Sequence, residues 1–227
     1  MDGKILTGRA SHVRAPRVYQ EHSREGTTNS HGCGNPLRGP LEKKASLTLL
    51  RSPLNDYVIL SGTIADHGMA VMSKREGLEF ETEIVSDTAP LNALVAAMLE
   101  CTAAIHCLRD PTRGGIATTL NEIARRSQVG IVLDERRIPI REEVRGACEI
   151  LGIDPLYVAN EGKLIAIIGR AEAEKVLEHM RCHRDGKEAQ IIGEVVADHP
   201  RLVVMRTGIG GSRIVDLMLG EQLPRIC

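Results

Sequence analysis

The chain has 227 residues, 42% of them hydrophobic and 26% charged, which is the make-up of an ordinary globular protein with room for one large domain or two small ones. Its 29 basic residues nearly balance 30 acidic ones, and a net charge of -1 excludes a broad basic surface for nucleic acid or an anionic membrane. One Phe, three Tyr and no Trp leave no stacking platform for bases and require a core of Val, Ile, Leu, Ala and Met.

No apolar run approaches the roughly 20 residues that span a bilayer, and the start, Met1 to Lys4, lacks the apolar stretch of a secretory signal. A cytoplasmic location is therefore expected. The cysteines at 33, 101, 107, 148, 182 and 227 show no C-x-x-C spacing and read as free thiols.

Residues 1–44 hold eight Lys or Arg against four Asp or Glu, with few apolar residues and much Gly, Ser, Thr, Asn and Pro. Such a segment buries too little to offset its ordering entropy and reads as a poorly structured leader over 1–55. His31 and Cys33 within it are too sparse for a zinc site. Globular patterning starts near Ala45. Tyr57 to Ser61 reads as a buried strand ending at Gly62, and Asp66 to Lys74 as a helix capped by Asp66. Ala89 to His106 reads as one helix with Leu91, Leu94, Val95, Met98 and Leu99 on a single face. A helix over Ile116 to Arg126 follows the Gly114-Gly115 pair. Next come a strand at Gly130 to Leu133, a helix at Arg141 to Leu151 and a strand at Lys163 to Ile168. Ala171 to Cys182 reads as helix, and Gln190 to Val196 and Leu202 to Met205 as strands. The mixture predicts an α/β (α+β) domain: a mixed sheet with helices packed on one face. Gly208 to Ser212 lacks the strand–turn–helix setting of a nucleotide fingerprint and reads as a loop.

Four stretches can carry chemistry, one of them Gly62 to Gly68, which lies between a strand and a helix or reads only as a turn with Asp66 as N-cap. Cys227 ends the sequence after Pro224-Arg225-Ile226; a thiol on a flexible tail, 220–227, can be loaded at one place and presented at another, or it is a chance cysteine. Arg109 to Gly115 precedes a helix. Gly114 and Gly115 let backbone N–H groups approach an anion, Arg113 adds donors, and Asp110 or Thr112 can hold magnesium through oxygen. The same residues also read as a capped helix start. Glu161, in Ala159-Asn-Glu-Gly-Lys163, is a carboxylate before a strand and a candidate general base held ionised by Lys163, or part of a polar turn.

Four motifs in this order resemble the HypE family of hydrogenase maturation proteins: Ser61 to Gly68, Leu108 to Gly115, Asp154-Pro-Leu156 with Ala159 to Lys163, and the ending Pro224-Arg-Ile-Cys227. The resemblance covers about residues 56–227 and implies the fold of the aminoimidazole ribonucleotide synthetase and selenophosphate synthetase group. It implies a C-terminal α/β domain over 56–219. Of the family's ATP-binding N-terminal domain it identifies only a last strand, around Tyr57 to Ser61.

The resemblance further implies an ATP- and magnesium-dependent dehydration. A carbamoyl group loaded on Cys227 by a HypF-type carbamoyltransferase would be phosphorylated on oxygen and deprotonated by Glu161. The resulting thiocyanate would pass through a HypC–HypD complex to the iron of a [NiFe] hydrogenase. The loop of Asp110, Thr112, Arg113, Gly114 and Gly115 would stabilise the phosphoryl group, and no resident metal site is expected. Family dimers form mainly through the N-terminal domain, so a homodimer is an open expectation. Two other readings stand beside this one: a tail-bearing domain that only binds maturation partners, and another ATP-dependent synthetase of the group. The Pro-Arg-Ile-Cys ending argues against the latter.

Overall fold

The computed structural model describes residues 54–77 and 82–217. The leader over 1–55, apart from its last two residues, lies outside the described residues, as do His31, Cys33 and the tail with Cys227.

Seven strands form one sheet: β1 (Tyr57–Leu60), β2 (Ile105–Arg109), β3 (Gly130–Asp134), β4 (Ile165–Ile168), β5 (Gln190–Val196), β6 (Val203–Arg206) and β7 (Ser212–Ile214). Five helices accompany it: α1 (Asp66–Glu76), α2 (Asn92–Cys101), α3 (Gly115–Ser127), α4 (Glu142–Leu151) and α5 (Arg170–Cys182). The strand order is β2-β4-β1-β5-β3-β6-β7. Each neighbouring pair is antiparallel except β3 with β6, which is parallel. The expected mixed α/β sheet is therefore present.

Helices cover both faces of this sheet rather than one. Side chains alternate along a strand, so Val58, Leu60, Ile165 and Ile167 point to one face and pack with Ile116, Leu120 and Ile123 of α3. Ile59, Ala166 and Ile168 point to the other and pack with Leu94 and Met98 of α2 and Val176 and Met180 of α5. A strand reading Ile-Ala-Ile-Ile has no polar side to give to water, so β4 is buried at every residue and needs two covering layers. A third cluster joins Met69 and Met72 of α1 to Val144 and Cys148 of α4 and to Val158.

Three boundaries differ from the sequence reading. The helix read over 89–106 ends at Cys101, and Ile105–Arg109 is an edge strand. Thr102 turns extended, and its Oγ1 accepts from the Ala104 N–H, a local competitor to helical bonding. Tyr57–Leu60, read as the last strand of a preceding domain, lies inside this sheet, paired with β4 on one side and β5 on the other. Asp66 does not cap α1: the N-cap is Ala65, and the Asp66 side chain is turned into the protein. No helix among the described residues is long and apolar enough to cross a membrane. Cys101, Cys107, Cys148 and Cys182 are free thiols, as expected.

Candidate functional site

Register places three loops at one end of the sheet. Leu60, at the end of β1, and Arg109, at the end of β2, both pair with Ile165 at the start of β4. The loop leaving β1 (61–65), the loop leaving β2 (110–114) and the loop entering β4 (160–164) therefore emerge side by side.

Asn160 ties them together. Its buried side chain accepts from the Ala65 N–H (2.7 Å) and donates to the Pro111 and Val158 carbonyls (3.2 and 2.9 Å). Its own N–H also reaches the Pro111 carbonyl at 3.2 Å. Ala65 sits at φ 71°, a left-handed conformation costing of order 1–2 kcal/mol for a residue with a Cβ. The Asn160 bond helps to hold it there.

The glycines of these loops are required by close packing. A Cβ on Gly115, at φ +60°, would lie 2.4 Å from the Leu156 carbonyl oxygen and 2.6 Å from that of Val158. On Gly162, at φ +85°, it would lie 2.4 Å from the Ala89 nitrogen and 2.6 Å from the Asp87 oxygen. On Gly68 it would run into Val158 and Ala159. The segment 158–162 is thus gripped on one side by α1 and on the other by residues 87–89.

Charged and polar side chains converge on the same region. Lys163 pairs with Asp87, both largely buried, and its stem lies over Gly62. The Gly162 packing lays residues 87–89 against the loop, which brings Asp87 to Lys163. His67 Nδ1 lies 2.8 Å from Ser86 Oγ and 3.1 Å from Thr88 Oγ1, and the two hydroxyls are 2.9 Å apart. Asp66 is buried with neither carboxylate oxygen hydrogen-bonded among the described residues, and Thr63 Oγ1 is likewise orphaned. Arg141 Nε lies 3.1 Å from Asp66 Oδ1 without hydrogen-bond alignment. Burial pushes the Asp66 carboxyl above its ordinary range and the Asp87 charge adds to it, while the neighbouring Thr63 hydroxyl and the charges of Arg141 and Lys163 pull against that only partly.

Of the residues singled out from sequence, Glu161 is half-buried within this convergence, and the Asp110–Gly115 loop joins it through the Asn160 bonds to Pro111. Asp110 and Arg113 are exposed at its edge and Thr112 is half-buried, its carbonyl accepting from Gly115 N–H at 3.1 Å. Gly114, at φ 71°, caps α3. The freedom of Gly114 and Gly115 thus serves helix entry and contact with 156–158. Cys227 lies outside the described residues. Its root is well held: Arg213 pairs with Asp154 at 2.6 Å, Tyr157 OH donates to the Asp216 carbonyl at 3.0 Å, and Asn121 donates to the Val215 carbonyl at 2.7 Å. Asn160 as a staple, Asp66 as a buried carboxylate and Ser86, Asp87 and Thr88 as a group escaped the sequence reading. A Ser-Asp-Thr run ahead of Pro90 looks like any helix approach, and only its hydroxyl density hints at more. Burial pushes Cys107 and Cys148 up to about 11, so neither competes as a nucleophile.

The model of the AIR synthase related protein C-terminal domain matches residues 55–205. The chain belongs to the AIR synthase related protein family. Within that family it is 62% identical over 172 residues to the carbamoyl dehydratase HypE of Azotobacter vinelandii, across 76% of this chain and 50% of that protein. Among solved structures, a HypE–HypF complex matches with a TM-score of 0.72 at 50% identity, over 75% of this chain and 55% of that one. HypE in complex with ATP matches with a TM-score of 0.75 at 45% identity, over 79% and 55%. The chain spans about half the length of the curated relatives it matches. The HypE resemblance read from four short motifs thus holds across the whole described domain, and the family model, starting at residue 55, takes in β1.

Proposed function

We propose that this chain serves [NiFe] hydrogenase maturation as the C-terminal portion of an ATP-dependent carbamoyl dehydratase, its Cys227 carrying the carbamoyl group that becomes a thiocyanate. The observation that carries this reading is the placement of the Cys227 tether. Residues 213–216 are pinned to the Asp154–Tyr157 turn and to α3, and Tyr157, which bonds the Asp216 carbonyl, stands four positions before Glu161 in the chain. Ten residues extend at most about 35 Å, ample to bring the thiol over the converging loops.

The carbamoyl oxygen is a poor leaving group until ATP phosphorylates it. Glu161 then takes an N–H proton while phosphate departs. Thr112 and Arg113, with the start of α3 at Gly114 and Gly115, would offer donors and positive potential to phosphoryl oxygens, with Asp110 beside them. Among the described residues no group of three or more His, Cys, Asp or Glu side chains could hold a metal ion. A HypF-type carbamoyltransferase would load Cys227, in line with the solved complex of a relative, and a HypC–HypD complex would receive the product; a homodimer remains a testable extension.

The test is mass spectrometry of Cys227 after loading and addition of Mg-ATP. The parent chain is expected to pass from carbamoyl adduct to thiocyanate. Cys227→Ala should carry neither, and Glu161→Gln should keep the carbamoyl adduct and stop there. Thiocyanate formation by Glu161→Gln at the parent rate would remove Glu161 from the mechanism. A second reading is a tail-bearing domain that binds maturation partners without turning over ATP. Absence of saturable Mg-ATP binding by calorimetry, with a folded circular dichroism spectrum, would select it.

A further inference from the structure

Two protons leave the carbamoyl group in the course of the reaction. A carbamoyl thioester, R–S–C(=O)–NH2, becomes R–S–C≡N by losing its oxygen and both N–H protons. The first proton leaves as the oxygen attacks the terminal phosphorus of ATP, giving an S–C(OPO3)=NH group and ADP. The second leaves as the C–O bond breaks, with the N–H electron pair forming the third C–N bond and the C–O pair departing on phosphate. A single carboxylate accepts one proton and must be reset before the next.

The His67–Ser86–Thr88 triangle is built to handle the other. Its three contacts of 2.8, 3.1 and 2.9 Å link a half-buried imidazole on α1 to two exposed hydroxyls. Three atoms so placed support both ring tautomers. With a proton on Nδ1, the ring donates to Ser86, Ser86 donates to Thr88, and Nε2 is a base. With a proton on Nε2, a hydroxyl donates back to Nδ1. Moving hydrogens alone therefore carries a proton from Nε2 to Nδ1 and out through the hydroxyls to water. Nε2 makes no hydrogen bond among the described residues.

The triangle's position also fits. It joins the two elements that grip the Glu161 segment: α1, packed through Gly68 on Ala159, and residues 86–89, packed on Gly162. Its charged neighbours in the chain are Asp66, on its own helix, paired with Arg141 at the N-cap of α4, and Asp87, between the two hydroxyls, paired with Lys163.

We propose that His67, relayed by Ser86 and Thr88, is the second proton acceptor of the site, taking one of the two carbamoyl N–H protons while Glu161 takes the other. This rests on the dehydratase reading above. The experiment follows thiocyanate formation on carbamoylated Cys227 of the full chain with Mg-ATP, from pH 5.5 to 9, for the parent, His67→Ala, the double variant Ser86→Ala with Thr88→Ala, and Glu161→Gln. His67→Ala is expected to load carbamoyl normally and to slow thiocyanate formation by about 100-fold, the lower end of what a positioned acid–base group contributes. Added imidazole should restore part of the rate, and the parent's pH profile should lose one limb. The double variant, altered only at exposed positions, should slow the reaction about tenfold should His67→Ala fail to fold. Parent-like rates in both, or a His67→Ala loss with no imidazole rescue and an unchanged pH profile, would overturn the relay while a blocked Glu161→Gln still upheld the dehydratase reading. No thiocyanate from the parent would bring down that reading and the relay together.

Discussion

Removing the Asn160 side chain tests whether one buried amide organises the three loops. In Asn160→Ala the bonds from Ala65 N–H and to the Pro111 and Val158 carbonyls are lost. The Pro111 carbonyl keeps its bond from the Asn160 N–H, so two groups are orphaned, the Ala65 N–H and the Val158 carbonyl. At about 1–3 kcal/mol for each buried polar group left without a partner, the cost is about 2–6 kcal/mol. That is a large share of the 5–15 kcal/mol or so that holds a domain folded. The assay is urea unfolding followed by circular dichroism; the midpoint should fall with little change in slope. Native-state hydrogen exchange should quicken at the Ala65 amide, whose left-handed backbone loses its anchor. Asn160→Asp adds a sign. The introduced carboxylate would face the Pro111 and Val158 carbonyls, which lifts its folded-state pKa above the unfolded value of about 3.9. The variant should be most destabilised at neutral pH and partly relieved as the pH falls toward 4. A loss below about 0.5 kcal/mol in Asn160→Ala, the range of ordinary surface changes, would refute the staple.

Gly115→Ala should destabilise by more than about 1 kcal/mol, because its Cβ would strike two carbonyl oxygens at a left-handed φ; Gly146→Ala, with open space around its Cβ inside α4, should stabilise by roughly 0.5–1 kcal/mol, both read by thermal or urea unfolding. Asp66 has its carboxyl raised by burial, so the folded state binds protons more tightly than the unfolded one, and its contribution to stability falls as pH rises above the ordinary value of 3.8. Asp66→Asn should therefore gain stability relative to the parent between pH 4 and pH 7, and a relative loss over that range would show that the Arg141 attraction outweighs desolvation.

Buried strands and amphipathic helices are legible locally because a period of 2 or 3.6 is written in neighbouring residues. Val58 to Leu60, Ile165 to Ile168 and the Ile116, Leu120, Ile123 stripe of α3 announce themselves in this way. The same kind of local pattern misplaced the end of α2, since Leu91 to Leu99 runs on in composition through Ile105 while the turn at Thr102 depends on a single side-chain bond.

The four ordered motifs, read from sequence alone, fixed the family and brought Glu161 and the Asp110–Gly115 loop forward as candidates. Only the tertiary structure decided how those pieces meet. The bond that joins the loops spans 95 residues, from Ala65 to Asn160, and the one between His67 and Ser86 spans 19. Lys163 meets Asp87, 76 residues away in sequence, because chain packing at Gly162 sets which charges share a buried space. Periodicity reports which face of an element is apolar. Which polar atoms face one another across the end of a sheet is settled by register and loop packing, and these arise only when distant strands pair.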